Sequence, residues 1–429
     1  MRTPLYFVAV AAALLGAGAT PAGHWVNTWV AMPQLTEYYN VPNPPFNGTN
    51  SIFTNSTIRQ TLHTSIPAES YIRIRISNAF GVNDLPITQV AVALPLDGQA
   101  GSPQIVPGSS VPLTFSGNTS IIIPDGAQVV SDPIYYPLDA QSMVTVTLYT
   151  EAGQEGFYIT SHPGSRTNTW YSFGNYVDAL NLTDPSTQYE AHWYFLSGIE
   201  AWSPLTANGW AIVGDSITDG RGSDTDENNR WPDLVLARMQ ENPFTANIAV
   251  LNQGAGGNRI LYDGLGPNAL GRIDRDVLAQ SGIRYAMIFE GVNDIGTAAT
   301  DVYSQEVVGD RLLQAYEQII TRVHTFGIPI FAATITPFGA PNDTIQPYAD
   351  PQREITRQRV NAWIRDSGKF DAVVDFDAIV RDPNNVTQLN PAYNSGDYLH
   401  PNVAGYTAIA NAFPLDIFEQ FAFGVNGFQ

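Results

Sequence analysis

The sequence contains no cysteine, and this absence excludes several kinds of site. Without thiols there are no disulfides, no thiolate nucleophiles and no cysteine-based metal sites. Lysine occurs only once, at Lys369. No lysine therefore follows a glycine-rich loop to hold phosphates, and a Schiff base would depend on that single residue. The mature fold must rest on packing alone.

Charged residues are also scarce. They make up 14% of the chain, against about 25% in an average soluble protein. Acidic side chains outnumber basic ones by 40 to 20, which gives a formal net charge of −20. A field of this sign repels phosphate backbones, so we expect no nucleic acid partner.

Long apolar runs are absent beyond the first residues. Arg2 precedes an apolar stretch at 5–15, and Ala17-Gly18-Ala19 has the small residues of a signal-peptide cleavage site. The pattern predicts a signal peptide at 1–19. The run is too short and glycine-rich for a membrane anchor. We therefore expect a secreted, extracellular protein without membrane insertion. Six Asn-X-Ser/Thr sequons fit a glycoprotein of the eukaryotic secretory pathway. Their asparagines are Asn47, Asn55, Asn118, Asn181, Asn342 and Asn385.

A chain of 429 residues is long enough for two cores, and its pattern changes near residue 205. Before that point short segments alternate between apolar and polar residues, as in Tyr71–Ile76 and Val144–Leu148, with Pro-Gly turn signals between them. Two-residue periodicity is typical of half-buried strands. We predict an antiparallel β-sandwich or jelly-roll domain over residues 24–204.

From about Gly209 onward, buried apolar runs alternate with helical patterns. This alternation predicts a parallel sheet covered by helices, a three-layer α/β/α domain over residues 207–422. The predicted strands are 210–213, 249–251, 285–289, 328–332 and 372–376. The predicted helices are 233–240, 269–279, 304–326 and 353–365.

A glycine-flanked serine follows the first of these strands. Ser216 lies in Gly214-Asp215-Ser216-Ile217 directly after the apolar run Trp210–Val213. Such a junction presents a hydroxyl at the carboxyl edge of the sheet, where open α/β sheets place their ligands. The position predicts a serine nucleophile.

A serine hydroxyl needs a base, and His400 is the best placed of six histidines. Four histidines precede the α/β domain, and His324 falls inside a predicted helix. His400 is followed by Pro401, which we expect to open the last helix at its first position. Asp397, three residues earlier, is close enough to bond the second imidazole nitrogen. The alternative is that Asp397 only caps that helix and His400 only braces the loop.

Acyl transfer also needs donors for an oxyanion. After the strand 249–251 comes Gln253-Gly254-Ala255-Gly256-Gly257-Asn258, which offers bare backbone N–H groups, and Gly254, Gly256 and Gly257 all compete for that role. After the strand 285–289 comes Gly291-Val292-Asn293-Asp294, which offers an amide side chain. Asn293-Asp294 also fits a turn that ends a strand, and the glycine-rich loop also fits a packing device, so their weight comes from occurring together with Ser216 and His400.

These four segments resemble the four motif blocks of the SGNH, or GDSL, hydrolases. The blocks are Gly-Asp-Ser at Ser216, the glycine-rich loop at Gly257, Gly-Val-Asn-Asp at Asn293 and Asp-Tyr-Leu-His at His400. The resemblance covers about residues 209–420, with Ile217 where the family has leucine. An N-terminal β domain is similar to that of a secreted subgroup.

The resemblance implies a flavodoxin-like catalytic domain and a role for each matched residue. Ser216 is the nucleophile, His400 the base and then the acid, and Asp397 its orienting carboxylate. The oxyanion hole is formed by the N–H groups of Ser216 and Gly257 and the amide of Asn293. No metal or organic cofactor is required.

Other features support structural interpretations as well as functional ones. The acidic loop Asp224–Asn228 has oxygen ligands suited to calcium, but it lacks an EF-hand spacing and a solvated loop is favoured. Arg230, Trp231 and Arg259 are close in sequence to motif residues and either line the cleft or support the fold. Four aromatic residues of the β domain suit sugar stacking, although core positions are favoured. They are Trp170, Tyr171, Trp193 and Tyr194.

The sequence thus predicts a secreted serine ester hydrolase that removes short acyl groups, such as acetyl, from carbohydrate. Its expected substrate is a small ester or an acylated polysaccharide. Alternatives are a lipase or general carboxylesterase, and a catalytically inactive carbohydrate-binding protein. The substrate preference rests on analogy and expected location alone.

Overall fold

The structure is a computed structural model that describes residues 22–427. The predicted signal peptide at 1–19 lies outside the described residues. Across residues 22–427, none of the helices has the length and apolar character needed to cross a membrane.

The first half of the described chain consists of antiparallel sheets. One sheet runs in the order His24–Val30, Leu196–Ser203, Tyr71–Ser77 and Gln128–Val130, with Ile134–Tyr135 also paired to Tyr71–Ser77. A second sheet runs in the order Gln188–Ala191, Asn168–Phe173, Ser56–His63, Met143–Thr150, Gln89–Ala93 and Val111–Pro112. Three smaller sheets comprise Trp193–Tyr194, Thr160–His162 and Gln34–Leu35; Gln154–Glu155 and Ser51–Ile52; and Leu85–Ile87 and Ile121–Ile123. Short 3₁₀ turns lie at Tyr38–Asn40 and Leu96–Gly98.

The strand Tyr71–Ser77 shows why alternating segments form these sheets. Ile72, Ile74 and Ile76 point inward and are fully buried, which stabilises the fold by roughly 1.5–3 kcal/mol for each side chain. Arg73, between them, faces the other side and pairs with Glu200 of the neighbouring strand. Side chains from both large sheets share a single hydrophobic core. The predicted antiparallel sandwich is therefore confirmed, and we call this unit the sandwich.

The second half contains a five-stranded parallel sheet. Its strands lie in the order Ile248–Gly254, Asn208–Gly214, Ile283–Phe289, Ile330–Ala333 and Ala372–Val374. Numbered along the chain, this order is 2-1-3-4-5, the flavodoxin-like arrangement, in which ligands bind at the switch point between the first strand, Asn208–Gly214, and the third, Ile283–Phe289. The helices are Ser216–Asp219, Trp231–Gln240, Ala269–Ile273, Val292–Thr297, Val302–His324, Pro351–Asp366, Phe376–Val380, Val403–Ala412 and Asp416–Gln420. A hairpin of Arg381–Asp382 and Asn385–Leu389 completes the unit.

Helices cover both faces of this sheet. In the strand Asn208–Gly214, Trp210 and Ile212 face a cluster that includes the helix Val403–Ala412. Their neighbours Ala211 and Val213 face a second cluster that includes the helix Val302–His324. The predicted three-layer α/β/α architecture is confirmed.

One predicted helix differs in form. The segment predicted as a single helix over 269–279 forms the five-residue helix Ala269–Ile273, followed by a π-helical turn at Asp274–Leu278. The buried ion pair between Arg272 and Asp276 spans this junction. Apolar periodicity alone does not distinguish such a widened turn from a regular helix.

The sandwich packs against the edge of the parallel sheet. Ser65 Oγ lies 3.0 Å from the carbonyl oxygen of Val250 and 3.2 Å from its amide nitrogen. Asn27 N donates to the carbonyl of Ser281 at 3.0 Å. A small shared core completes the contact, and its buried members are Val26, Val30, Ile66, Ala207, Ala249 and Leu251. The sandwich thus covers the strand Ile248–Gly254, which would otherwise be an open sheet edge.

Candidate active site

Ser216 lies where the sequence predicts it, on a sharp turn at the carboxyl end of the first strand of the parallel sheet. The strand Asn208–Gly214 passes through Asp215 into the one-turn helix Ser216–Asp219. The Asp215 side chain caps this helix by accepting a hydrogen bond from Ile217 N at 2.9 Å. This cap fixes the direction in which the strand enters the helix.

The structure brings His400 to Ser216. His400 Nε2 lies 2.7 Å from Ser216 Oγ, although the two residues are 184 positions apart. His400 is held in its loop by the bond from Ser395 N to its carbonyl oxygen, at 3.0 Å. The distance allows direct proton transfer between the hydroxyl and the ring.

Asp397 completes the row of side chains. Its Oδ2 lies 2.6 Å from His400 Nδ1, and its Oδ1 accepts from the amides of His400 at 2.9 Å and Leu399 at 3.0 Å. Burial disfavours the ionised carboxyl, but the bonds and charge supplied by His400 outweigh it and hold the pKa of Asp397 below its usual range. An ionised Asp397 keeps the proton on Nδ1, which leaves Nε2 free to accept a proton from Ser216.

The start of the following helix differs from the prediction. Pro401 does not open it; the helix begins at Val403, with Asn402 as its N-cap. Asn402 Oδ1 accepts from Gly405 N at 3.0 Å. An asparagine cap satisfies a free helical N–H group, whereas Pro401 has no side-chain acceptor to offer. Asp397 does not cap the helix and bonds His400 instead.

Asn293 is buried and its amide is oriented from both sides. Its Nδ2 donates to the carbonyl of Asn258 at 2.8 Å, and its Oδ1 accepts from Tyr348 Oη at 3.1 Å. The second proton of Nδ2 remains available to a substrate oxygen. Its neighbour Asp294 accepts from the amides of Ile260 and Leu261, at 2.8 and 3.0 Å. These bonds tie the Asn293 turn to the glycine-rich loop.

The structure narrows the choice of backbone donor. Gly254 N donates to Asn252 Oδ1 at 2.8 Å, so it is already engaged. Within residues 22–427, the N–H groups of Gly256 and Gly257 have no protein acceptor. Gly257 adopts a left-handed φ of +71°, and a Cβ there would lie 2.3 Å from Leu265 Cδ1. Glycine is therefore required at this position.

Beneath the turn, Arg272 joins the ends of three strands. Its fully buried guanidinium donates to the carbonyls of Gln253 at 2.7 Å and Gly214 at 3.1 Å. It also pairs with Asp276 at 3.0 Å and Glu290 at 3.5 Å. This cation holds the sheet edge together under Ser216.

Buried carboxyl groups surround this arginine. Burial raises the pKa of Glu290 to about 8, although the charge of Arg272 lowers it. Burial also raises the pKa of Asp215 to about 7 and that of Asp294 to about 6. Their ionised forms are costly in this low-dielectric environment.

Sequence reasoning missed Tyr348 and Arg272. Neither belongs to a motif, and Tyr348 lies 55 positions from Asn293. Arg272 carried one usable signal, because an arginine in the middle of a segment predicted to cover a buried sheet must find buried partners.

The other residues that the sequence analysis considered for the cleft or for sugar binding make contacts within the protein. Trp231 is fully buried against Trp210, and Arg230 pairs with Asp233 at 2.6 Å. Arg259 lies over the ring of Tyr262, which is about half exposed. Of the four sandwich aromatics, Tyr171, Trp193 and Tyr194 are buried in the core, as favoured.

The acidic loop at 224–228 is bound to the sandwich. Asp226 Oδ1 accepts from Asn168 N at 2.7 Å, and Asp226 Oδ2 from Asn168 Nδ2 at 2.6 Å. Across the described part of the chain, no group of three or more acidic, histidine or cysteine side chains is arranged to hold a metal ion.

Comparison with known proteins gives one family match, and it covers the segment that contains the residues of the candidate site. A family model described as the GDSL-like lipase/acylhydrolase family matches residues 212–408, which include Ser216, Asn293, Asp397 and His400. No curated protein matches the chain.

Each of the similar solved structures aligns with about half of this chain. An acetyl xylan esterase from Geobacillus stearothermophilus shares 23% identity over 49% of this chain and 96% of its own, with a TM-score of 0.36. A carbohydrate acetylesterase family member from Sinorhizobium meliloti shares 12% identity over 50% and 99%, with a TM-score of 0.38. A GDSL-like lipase from Bacteroides thetaiotaomicron VPI-5482 shares 18% identity over 50% and 89%, with a TM-score of 0.35.

Proposed function

We propose that this chain acts as a serine hydrolase through an acyl-enzyme. Its residues 212–408 match the GDSL-like lipase/acylhydrolase family, which hydrolyses esters. The observation that carries the proposal is the continuous row of contacts from Ser216 Oγ through His400 to Asp397, with distances of 2.7 and 2.6 Å. A hydroxyl is a poor nucleophile until a base of this kind removes its proton.

The first half-reaction forms the acyl-enzyme. His400 Nε2 takes the proton of Ser216 while Oγ attacks the ester carbonyl carbon. The negative charge that develops on the carbonyl oxygen is received by Ser216 N, Gly257 N and the free proton of Asn293 Nδ2. His400 then returns the proton to the leaving alcohol, and Asp397 stabilises the imidazolium formed in between.

The second half-reaction releases the acid. His400 removes a proton from water, which attacks the acyl carbonyl, and Ser216 recovers its proton when the bond to Oγ breaks. His400 must be unprotonated in the free enzyme for the first attack and in the acyl-enzyme for the second, so we expect activity to fall at low pH. Asp397 remains ionised throughout, in keeping with its lowered pKa.

We further propose a short acyl group, such as acetyl, on carbohydrate as the substrate. The support is analogy with the family and the expected location. The predicted signal peptide and sequons favour an extracellular location, where plant cell-wall polysaccharides carry such groups. A lipase or general carboxylesterase uses the same chemistry on a longer acyl chain.

Glycosylation and secretion are part of this proposal and can be tested separately. Four of the sequon asparagines are exposed and two, Asn47 and Asn181, are half-buried, so none lies in the core. We expect the secreted protein to lose mass on treatment with an endoglycosidase and to begin near residue 20 on N-terminal sequencing.

The proposed activity is tested with p-nitrophenyl esters of increasing acyl length and with acetylated xylan. We expect hydrolysis of the acetate ester by the wild type and a loss of about 10³-fold or more in kcat for Ser216→Ala. Ser223→Ala is the matched control, because Ser223 lies in the loop after the helix and bonds only the carbonyl of Gly220.

Each outcome separates the alternatives. Preference for acetate, with acetate release from xylan, supports the proposal. Preference for long chains indicates a lipase. A folded wild type that hydrolyses no ester but binds polysaccharide would indicate the inactive carbohydrate-binding protein.

A further inference from the structure

The helix that carries Ser216 is too short to be stable by itself. It has four residues, Ser216–Asp219, and isolated helices of this length do not form in water. Its first end is held by the Asp215 cap. Its middle is held by Asn252 Nδ2, which donates to the carbonyl of Thr218 at 2.8 Å. Contacts with the rest of the molecule therefore determine where Ser216 lies.

The last residue of this helix is held from the sandwich. His162 Nε2 lies 2.9 Å from Asp219 Oδ1, and both side chains are almost fully buried. In the part of the chain that the structure describes, no other side chain makes a hydrogen bond or ion pair to this carboxylate. His162 comes from the strand Thr160–His162, so the contact joins the two halves of the molecule at the nucleophile helix.

The orientation of the His162 ring is fixed. Its Nδ1 lies 3.0 Å from the carbonyl oxygen of Met32, which only accepts, so Nδ1 carries a proton. Its ring stacks on Trp193, with centroids 5.7 Å apart. A proton must also lie between Nε2 and Asp219 Oδ1, since two lone pairs would repel at this distance. His162 is thus a rigid connection between the Met32 carbonyl and Asp219.

The turn after His162 packs on the same region. A Cβ at Gly164 would lie 1.7 Å from Asp219 Oδ2, so glycine is needed for the turn to approach this closely. Beyond it, the carbonyl of Arg166 accepts from Asp226 N at 2.9 Å. Several bonds therefore keep the sandwich segment 162–168 against the catalytic segment that follows Ser216.

We propose that His162 is a positioning residue for the nucleophile and that the sandwich thereby contributes to the catalytic centre. Ser216 and Asp219 are three positions apart on one helical turn, so they lie on neighbouring sides of it. Movement of Asp219 would turn the helix and shift Ser216 Oγ relative to His400. A shift of about 1 Å in reacting atoms can cost about 10²-fold in rate. The inference rests on the proposed serine hydrolase function.

Two substitutions at position 162 separate the two bonds of the ring. His162→Asn keeps a donor near the position of Nδ1 for the Met32 carbonyl but does not reach Asp219. His162→Gln keeps a donor near the position of Nε2 for Asp219 but loses the bond to Met32. We expect His162→Asn to lower kcat on p-nitrophenyl acetate by about tenfold or more, with KM within about twofold, and His162→Gln to stay within about threefold of the wild type.

His192→Gln is the matched control for damage to the sandwich. His192 is also a buried histidine of the sandwich, and its ring stacks on Tyr194 with centroids 4.1 Å apart. Within residues 22–427 its side chain makes no hydrogen bond or ion pair with the nucleophile helix. Thermal unfolding is measured for every variant. We expect His192→Gln to lose stability without the loss in kcat.

Asp219→Ala removes the same bond from the other side and covers the case in which His162→Asn does not fold. We expect it to lower kcat by a similar factor. A folded Asp219→Ala with wild-type kcat overturns the inference, as does a His162→Gln variant that is as slow as His162→Asn.

The wild type is measured first, so the two proposals fail in different ways. An active wild type with unaffected His162 and Asp219 variants overturns the positioning role alone. A folded wild type that is inactive on every ester overturns both.

Discussion

At the residue scale, each proposed catalytic group depends on a neighbour that sets its orientation. Asp397 fixes His400, Tyr348 and the Asn258 carbonyl fix Asn293, and Asp215 caps the turn of Ser216. Hydrogen bonds of this kind add little net stability, but they define which lone pair or proton faces the substrate. Substitutions at the neighbours should therefore affect turnover.

Asn293→Ala removes the proposed side-chain donor of the oxyanion hole. We expect kcat on p-nitrophenyl acetate to fall by about 10²–10³-fold, because a buried donor aimed at developing charge stabilises the transition state. Tyr348→Phe removes only the hydroxyl that orients the amide, and we expect a loss of about two- to tenfold. Tyr303→Phe is the control, since Tyr303 is 75% exposed. Equal kcat in Asn293→Ala and the wild type would remove Asn293 from the site.

The raised pKa of Glu290 predicts that the folded protein becomes less stable as pH rises. This pKa is about 8 in the folded protein and near 4.5 when unfolded, so between these values the folded state retains a proton that the unfolded chain has released. The free energy of unfolding then falls with rising pH, by up to about 1.4 kcal/mol per pH unit. Glu290→Gln does not titrate, so its stability should fall less over this window.

Urea unfolding at about pH 5 and about pH 8 measures this difference. Glu317→Gln is the control, because Glu317 is half-exposed and pairs with Lys369 at the surface. The same pH dependence in Glu290→Gln and the wild type would show that Glu290 is not the group that titrates.

At the element scale, the positions of helices and strands were predicted better than their ends. The helix predicted over 304–326 is observed as Val302–His324, because its stripe of apolar residues faces the sheet and its first turn is capped by Asp301. The segment 269–279 shows the limit, since its π-helical turn is tied to the buried Arg272–Asp276 pair rather than to periodicity. The helix after His400 shows the same limit at its start, which is set by Asn402 and not by Pro401.

Asn402→Ala tests this cap. Loss of the bond to Gly405 N should lower the free energy of unfolding by about 0.5–2 kcal/mol. Asn402 Nδ2 also donates to the Asn394 carbonyl at 3.2 Å, in the loop that holds His400, so kcat should fall as well. Thr407→Ala, on the exposed side of the same helix, should change neither by much. An unchanged unfolding free energy in Asn402→Ala would mean that the cap does not stabilise the helix.

At the scale of the whole molecule, the two halves share a core and a covered sheet edge. Val26, Val30 and Ile66 of the sandwich pack with Ala249 and Leu251 of the parallel sheet. Ser65 bonds both backbone groups of Val250. Separation of the two halves would expose apolar side chains and an open sheet edge to water. We therefore expect both halves to unfold together in a single calorimetric transition.

Ile66→Ala tests the connection between the halves. Ile66 is buried in the shared core, and its truncation should cost about 2–5 kcal/mol. The proposed esterase activity, whose Ser216, Asp397 and His400 lie in the other half, should then be lost at a lower temperature, together with the sandwich. Ile122→Ala is the control, because Ile122 is 65% exposed on the sandwich. Two separate transitions, with only the sandwich affected, would contradict the shared core.

The sequence by itself determined the local features of this protein. Alternation predicted the sandwich strands, and apolar runs and stripes predicted the α/β/α layers. Turn chemistry placed Ser216 and Asn293 at strand ends and His400 in the loop before the last helix. These features depend on neighbours within a few positions, which any sequence displays. The sequence left Gly254, Gly256 and Gly257 as candidate backbone donors. Only the structure showed that the N–H group of Gly254 is already bonded to Asn252 Oδ1.

Only the tertiary structure decided which distant residues support that site. Tyr348, Arg272 and His162 belong to no motif. Tyr348 lies 55 positions from Asn293, Arg272 14 positions from Asn258 and His162 57 positions from Asp219. Their partners are selected by how the sandwich and the helices pack around the sheet edge. Packing of this kind depends on the whole set of buried contacts at once, so no local pattern records it.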